Sequence, residues 1–425
     1  MTGILVALGT LILAAIGTPV YALLGGLGLL FFNWDGTDAA AVIIETYRLA
    51  SLPALIAIPL FTFAGFMLAE SNAPKRLLAL SRAVFGWMPG GLAVVALVSC
   101  AIFTAFTGAS GVTIIALGGL LYPMLREQHY PEKFSLGLMT CTGSLGLLFP
   151  PSLPIILYGL VAKVSIDDLF VAGAVPGILL ILILCVYSMV VGLKTGHKGT
   201  AFSWAETATT AREAIWEIPL PFVIIGGIYG GAFTATDAAA VMAFYVFVVE
   251  VFLYRDIKFS DLPMIITESM VLVGSILIVL GCALGLTNYM IDAEIPDRLF
   301  QWMNLYVQSK VIFLIVLNIL LLIINMVEIF SAIIIVVPII IPIAAQYGID
   351  PVHLGIIFLL NLEIGYMTPP LGLNLFLSNR RFDKPLTTLY KASFVFWLIH
   401  VVMLIFVTYM PHLSLWLLRC KSATP

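Results

Sequence analysis

Asn361-Leu362-Glu363-Ile364-Gly365-Tyr366-Met367-Thr368-Pro369-Pro370-Leu371-Gly372-Leu373-Asn374 lies inside an apolar stretch and carries two consecutive prolines. A helix in lipid loses backbone hydrogen bonds at each internal proline, so the chain must unwind here. The first half repeats the arrangement in Thr142-Gly143-Ser144-Leu145-Gly146-Leu147-Leu148-Phe149-Pro150-Pro151-Ser152. Gly146, Pro150 and Pro151 fall on Gly365, Pro369 and Pro370 with one offset of 219 residues. Duplicated breaks in an apolar chain are the sequence sign of a binding site built from discontinuous helices.

The composition agrees with a lipid setting. Of 425 residues, 61% are hydrophobic and 10% charged, with a mean hydropathy of +1.11, too little polar surface to clothe a soluble domain of this length. The class expected is an all-α polytopic membrane protein. Met1 to Phe32 is uncharged, but it is too long for a signal peptide and lacks a basic leader, so it reads as a retained first span. The net charge of −3, with basic residues scattered in short loops, gives no support for nucleic-acid binding. Cys100, Cys141, Cys185, Cys282 and Cys420 form no paired spacing, so neither a disulfide framework nor a thiolate metal site is expected.

Apolar periodicity places ordinary spans near 3–32, 49–69, 134–162, 169–193, 218–236, 238–254, 268–291, 352–379 and 392–418. Two stretches do not fit that mould. Ala83 to Leu125 runs without a charge and as one helix would measure about 65 Å, twice the hydrocarbon thickness. It must fold back, and Thr107-Gly108-Ala109-Ser110-Gly111 supplies a small, polar turn at its middle. Val311 to Ile349 repeats the pattern, with Glu328 as its single charge and Met326 to Ser331 at the corresponding middle. Each half thus reads as a re-entrant helical hairpin, near 83–125 and 311–349, followed by a Pro-Pro broken helix, near 134–162 and 352–379. Residues 1–193 form the first repeat, 194–236 a linker with an extra span, and 237–425 the second repeat.

Basic residues set the topology. With the N-terminus inside and each hairpin returning to its own side, 14 of the 20 lysines and arginines fall in cytoplasmic loops. Five spans then separate equivalent points, an odd number, so the repeats are inverted and the C-terminus lies outside.

At the hairpin tips and proline breaks, carbonyls and amides leave helical pairing at membrane depth. Small cations can use the oxygens, and helix N-termini can hold a carboxylate. The candidates are Ser110, Thr113, Thr142, Ser144 and Ser152 with the backbone of Gly108 and Gly111, and Ser331, Thr368 and Asn374 with the backbone near Gly365 and Gly372. The plainer reading is that each hydroxyl bonds back to its own helix or mediates close packing. Glu328 and Glu363 are carboxylates in apolar segments, where burial costs several kcal/mol unless the charge is paired or neutral. A functional role, capping of freed amides and a protonated glutamate all remain open for them. Asp237 reads as a cap for the helix that starts near Ala238. Gly108-Ala109-Ser110-Gly111 also matches the short nucleophile motif of intramembrane serine proteases. That chemistry needs a histidine within reach of Ser110, and only His400 of five histidines is clearly mid-span.

Several longer motifs carry a resemblance. Ile58-Pro59-Leu60-Phe61 leading to Pro74-Lys75-Arg76-Leu77, then Pro89-Gly90-Gly91, the GASG tip, Leu148 to Ser152, and Tyr347-Gly348-Ile349-Asp350-Pro351 with Met367 to Asn374 resemble the large membrane subunit of TRAP transporters. TRAP denotes the tripartite ATP-independent periplasmic family. The resemblance implies a sodium-coupled importer of small organic acids in the bacterial inner membrane, similar in architecture to elevator-type carriers. It implies two partners, a small four-helix membrane subunit on a separate chain and a periplasmic substrate-binding protein. It also implies sodium as coupling ion with no organic cofactor and no enzymatic activity. By this resemblance sodium falls to Gly108, Ser110, Gly111, Thr113, Ser144, Pro150, Pro151, Ser331, Gly365, Thr368, Pro369 and Asn374. The solute, with a C4-dicarboxylate as first expectation, falls to Thr142, Ser152, Glu328, Glu363 and Gly372. Many family members carry a serine-rich first tip followed by an acid, and here Val112 replaces one hydroxyl and the acid is absent. A stand-alone sodium symporter of divalent anions is the alternative within transport.

Overall fold

The computed structural model describes residues 6, 9–10, 12–13, 17–36, 38, 40–108, 110–196, 201–324, 329–370 and 372–422, and every regular element among them is helical. Helices are what an apolar chain adopts in lipid, because each backbone group must find its partner within its own segment.

The first half comprises α1 (Val20–Trp34), α2 (Ala40–Ala50), α3 (Ala57–Glu70, entered through a 3-10 turn at Pro53–Ile56), α4 (Ala73–Phe85), α5 (Gly91–Thr107), α6 (Ser110–Glu127), α7 (Glu132–Thr142), α8 (Leu153–Ala162) and α9 (Ile166–Lys194). The short helix α10 (Trp204–Glu213) lies on α4, and α11 (Pro219–Tyr229) follows. Then come α12 (Ala235–Val248, prolonged by a π turn at Val249–Leu253), α13 (Leu262–Asp292), α14 (Ile295–Asn304), α15 (Lys310–Ile324), α16 (Ile329–Gln346), α17 (Pro351–Gly365), α18 (Leu373–Phe382), α19 (Leu386–Tyr409) and α20 (His412–Ser422). Among the described residues, six helical stretches are long and apolar enough to cross a membrane: Pro53–Glu70, Ile166–Lys194, Ala235–Leu253, Leu262–Asp292, Ile329–Gln346 and Leu386–Tyr409. Glu132–Leu148 and Leu153–Ala162 form a further pair, bent by 45° at the first double proline.

The 219-residue offset read from the prolines also aligns whole elements. It carries Ser110–Glu127 onto Ile329–Gln346 at both ends, and the start of α7 onto the start of α17. It likewise carries the left-handed turn at His129 (φ 61°) onto that at Gly348 (φ 66°). Both Pro-Pro bonds, Pro150-Pro151 and Pro369-Pro370, are cis.

Two expected spans come out differently. The stretch at 218–236 yields only the 11-residue α11, which ends at Gly230-Gly231, where Gly231 has φ 71°. The stretch at 392–418 splits into α19 and α20 at Pro411, which lacks the amide a continuing helix needs. Asp237 caps as its sequence suggests. Thr234 accepts from the Asp237 amide while the Asp237 carboxylate accepts from the Thr234 amide, a reciprocal capping box.

The halves interlock. Helix α8, beyond the first break, packs on α16 of the second hairpin, and α18, beyond the second break, packs on α6 of the first. Helix α7 lies so close to α19 that a Cβ on Gly137 would come 2.2 Å from the Ala392 carbonyl oxygen, an approach only glycine permits. Beside this body, α13 packs against α1, α2 and α3, and α12 against α3.

Candidate functional site

Helix α5 ends at Gly108, whose left-handed conformation (φ 64°) lets its amide close on the Thr104 carbonyl at 2.8 Å, and α6 starts again at Ser110. Ser110 is only 2% exposed. Three elements enclose this tip. Leu153, first residue of α8, lies 2.9 Å from the place a Cβ on Gly108 would take, and Leu377 of α18 lies 2.9 Å from the equivalent place on Gly111. Gly143, just before the first break, faces the Ser110 carbonyl oxygen, which a Cβ there would approach to 3.2 Å. The first tip is therefore in contact with the first break and with the helix that follows the second.

Hydroxyls in this region divide into two groups. Those of Thr142, Ser144 and Thr368 donate back to their own helices, at Met139, Cys141 and Ile364, over 3.2, 3.3 and 2.7 Å. Their protons are committed, but lone pairs stay available. Thr113 bonds Thr104 at 2.7 Å, and Thr104 in turn donates to the Gly143 carbonyl at 3.1 Å, tying both limbs of the hairpin to the first break. The other group consists of buried acceptors without a partner. Ser152 caps the N-terminus of α8 without any hydrogen bond to its Oγ, and Asn374, in the first turn of α18, has none to its Oδ1. Both side chains are fully buried. The amide nitrogen of Asn374 donates to the Thr140 carbonyl at 3.0 Å, and Thr140 donates to Ser378 at 2.9 Å, so α18 is fastened to α7 across the repeat boundary.

The remaining candidates spread around this centre. Pro150, Pro151 and Gly365 are buried, whereas Pro369 and Pro370 are exposed. Gly372 admits no side chain, since a Cβ there would lie 2.4 Å from the Tyr366 carbonyl oxygen. Ser331 is half-buried in the first turn of α16. Glu328 lies outside the described residues. Glu363 is fully buried in α17 with no hydrogen bond to either carboxylate oxygen. Thr104, Thr140 and Ser378 join these bonds, as do Tyr390, which donates to the Pro370 carbonyl, and Trp397, which donates to Thr368 Oγ1; nothing local in the sequence marks them.

A cavity of about 590 Å³ lies elsewhere, between Arg48 at the end of α2, the stretch Lys163 to Asp167 leading into α9, Thr287 and Asn288 of α13, and Pro338 and Pro342 of α16. An apolar cavity of about 180 Å³ borders Phe149 and Pro150. The candidate site is thus defined by converging polar atoms rather than by void volume. Among the described histidines none serves Ser110. The His400 ring faces the Phe396 carbonyl at 2.8 Å and Cys141 Sγ at 3.8 Å, and His353 bonds Ser414 at 2.7 Å.

Oxygen acceptors at helix breaks, within a body that is all-helical among the described residues and has helices able to cross a membrane, suit a carrier. Residues 7–413 match the family model described as "Tripartite ATP-independent periplasmic transporter, DctM component", and the chain belongs to that family. It is 37% identical to the C4-dicarboxylate TRAP transporter large permease protein DctM of Pseudomonas aeruginosa, over 92% of each chain. It is 34% identical to the isethionate TRAP transporter permease protein DctMQ of Oleidesulfovibrio alaskensis, over 84% of this chain and 57% of that one. Its fold is similar to that of the Alcanivorax borkumensis YdaH transporter, with a TM-score of 0.61, 14% identity and 88% of each chain covered. The chain is accordingly the large membrane permease component of a tripartite transporter.

Proposed function

We propose that this permease imports a small organic acid across the bacterial inner membrane, coupled to sodium. A periplasmic binding protein delivers the solute, and a small four-helix membrane subunit assists. The observation that carries this reading is the pair of orphaned, fully buried acceptors, Ser152 Oγ and Asn374 Oδ1, supplied by the two helices that follow the two breaks. Burying such groups unpaired is costly, and an oxygen-seeking cation relieves the cost. Sodium suits a set made of hydroxyl, amide and carbonyl oxygens. The N-termini of α8 and α18 add partial positive charge for a solute carboxylate.

The repeats are inverted in this reading, with the N-terminus cytoplasmic and the C-terminus periplasmic. The interlocked hairpins and broken helices move together as the transport body against α1–α3, α12 and α13, in an elevator-like displacement. A C4-dicarboxylate is the first substrate to try, after the Pseudomonas relative, with sulfonates next, after the isethionate relative.

The test is uptake of labelled succinate into proteoliposomes that hold the permease and its small subunit, with and without the binding protein, across a sodium series. The reading expects uptake only with both partners and a sodium gradient, and a raised half-activating sodium concentration in Asn374→Ala and Ser152→Ala. Uptake without the binding protein would favour a stand-alone symporter. Unchanged sodium activation in both variants would remove these residues from the site.

A further inference from the structure

The two double prolines, so alike in sequence, are held in place by different forces. Pro150 and Pro151 are buried, and Phe149 beside them packs against Gly177, where a Cβ would come 2.7 Å from the ring. Pro369 and Pro370 are exposed. An exposed turn gains little from apolar burial, so its oxygens keep their positions only through directed bonds.

Helix α19 supplies those bonds. Trp397 Nε1 donates to Thr368 Oγ1 at 3.0 Å, and the Tyr390 hydroxyl donates to the Pro370 carbonyl at 3.1 Å. Because Thr368 spends its own proton on Ile364, its hydroxyl is fixed from both sides with one lone pair left over, and the Pro370 carbonyl likewise keeps one. Shifting back by 219 residues, the positions of Thr368, Tyr390 and Trp397 hold Phe149, Val171 and Ile178, whose side chains can neither donate nor accept. The clamp belongs to the second break alone.

We propose that Trp397 and Tyr390 are positioning residues for the coupling cation. They hold Thr368 Oγ1 and the Pro370 carbonyl so that an exposed break presents two oriented oxygens to a cation arriving from water. This rests on the sodium-coupled reading above. Neither aromatic side chain is assigned as a ligand; each acts through the oxygen it bonds, and its loss should change where sodium acts rather than how fast the loaded carrier works.

Tyr390→Phe keeps the ring and deletes one donor; Trp397→Phe deletes the indole donor while keeping a smaller aromatic ring. Two quantities are read: uptake into proteoliposomes across a sodium series at saturating solute, and the sodium-induced rise in melting temperature of the purified permease. The half-activating sodium concentration should rise about fivefold in Trp397→Phe, the loss of one ordinary hydrogen bond, and in the same direction in Tyr390→Phe. In Tyr390→Phe maximal uptake and the sodium-free melting temperature should stay at the parent values, and Trp397→Phe added to Thr368→Val should shift the midpoint no further. An unmoved sodium midpoint in both single variants overturns the clamp, as does a fall in maximal uptake and melting temperature with the midpoint unmoved. If the parent protein shows no sodium dependence, the coupling-ion reading falls first and this inference with it. Should Trp397→Phe fail to fold, Tyr390→Phe decides by the same criteria.

Discussion

Replacing Arg76 should unfold the joint between α4 and the linker, and its surroundings allow the cost to be worked out. Its Nε meets Glu217, Nη1 lies 2.7 Å from Asp256, Nη2 lies 3.2 Å from Glu250, and its guanidinium sits 3.8 Å from the centre of the Tyr254 ring. Side-chain exposure is 13% for Arg76, 2% for Glu217 and 0% for Glu250, so three carboxylates share one cation with little access to water. Removing the cation strands buried charge, a loss of about 3–5 kcal/mol. Arg76→Met should therefore cost about that much, enough to show as a collapse of monodisperse protein on size exclusion and a large fall in melting temperature. Arg76→Lys should lose nearly as much, because an ammonium cannot span three carboxylates and stack on a ring at once. The decisive variant is the triple Arg76→Met, Glu217→Gln, Glu250→Gln, which removes the two most deeply buried charges along with the cation and leaves Asp256 to its hydrogen bonds from Asn72. It should recover most of the melting temperature lost in Arg76→Met. A single Arg76→Met as stable as the parent, or a triple no better than the single, would refute the reasoning.

Burial works against the charge on Asp256, but hydrogen bonds from the Asn72 amide and side chain, both at 3.0 Å, and from Arg76 outweigh it and hold this carboxyl below its usual range. A group depressed by folding stabilises fully above its unfolded value, about pH 4, and loses that contribution as the pH falls through the lower folded value. Melting temperature followed down an acid series should drop more steeply in the parent than in Asp256→Asn, and parallel curves would contradict this. At Gly146 a Cβ would lie 2.4 Å from both the Ala101 carbonyl oxygen and the Ala105 amide nitrogen, so Gly146→Ala should cost about 1–3 kcal/mol of overpacking, measurable as lost thermal stability. Gly226→Ala, with nothing within 4 Å, should leave stability unchanged and serves as the control. Cys420 is exposed while Cys100 and Cys141 are buried, so an impermeant maleimide applied to intact spheroplasts should label Cys420 if the C-terminus faces the periplasm. Labelling only after membrane disruption would reverse the assigned topology.

The breaks and the first turn at Gly108 were legible because backbone chemistry dictates them locally. Two prolines in lipid force an unwinding, and more than forty uncharged residues must fold back, whatever surrounds them. The α11 stretch misled for a related reason: its hydropathy suits a span, but the glycines at 226, 227, 230 and 231 end the helix early, which a window average hides. Contacts between halves left no such local trace. Arg76 meets its acids across 141, 174 and 180 residues, and Asn374 finds Thr140 across 234. At the candidate site the sequence named candidate oxygens without showing which were already committed. Thr142, Ser144 and Thr368 donate back to their own helices, as the plainer reading of each allowed, while Ser152 and Asn374 are left with open acceptors.

The interlock bears on how far the repeat can be read as two equal sites. Since α8 packs on α16 and α18 on α6, the helix beyond each break lies against a helix of the other repeat. Such an arrangement makes independent motion of one hairpin expensive, because shifting α6 drags α18 and, through Asn374 and Thr140, α7. In the proposed mechanism the body would travel as a unit, with small local changes confined to whichever break is least buried. That break is the second, where Pro369 and Pro370 are exposed and two hydrogen bonds from α19 replace the packing that encloses Pro150 and Pro151. Sequence symmetry at the double prolines thus coexists with physical asymmetry, and loading or release of cargo is best sought at the second break rather than the first.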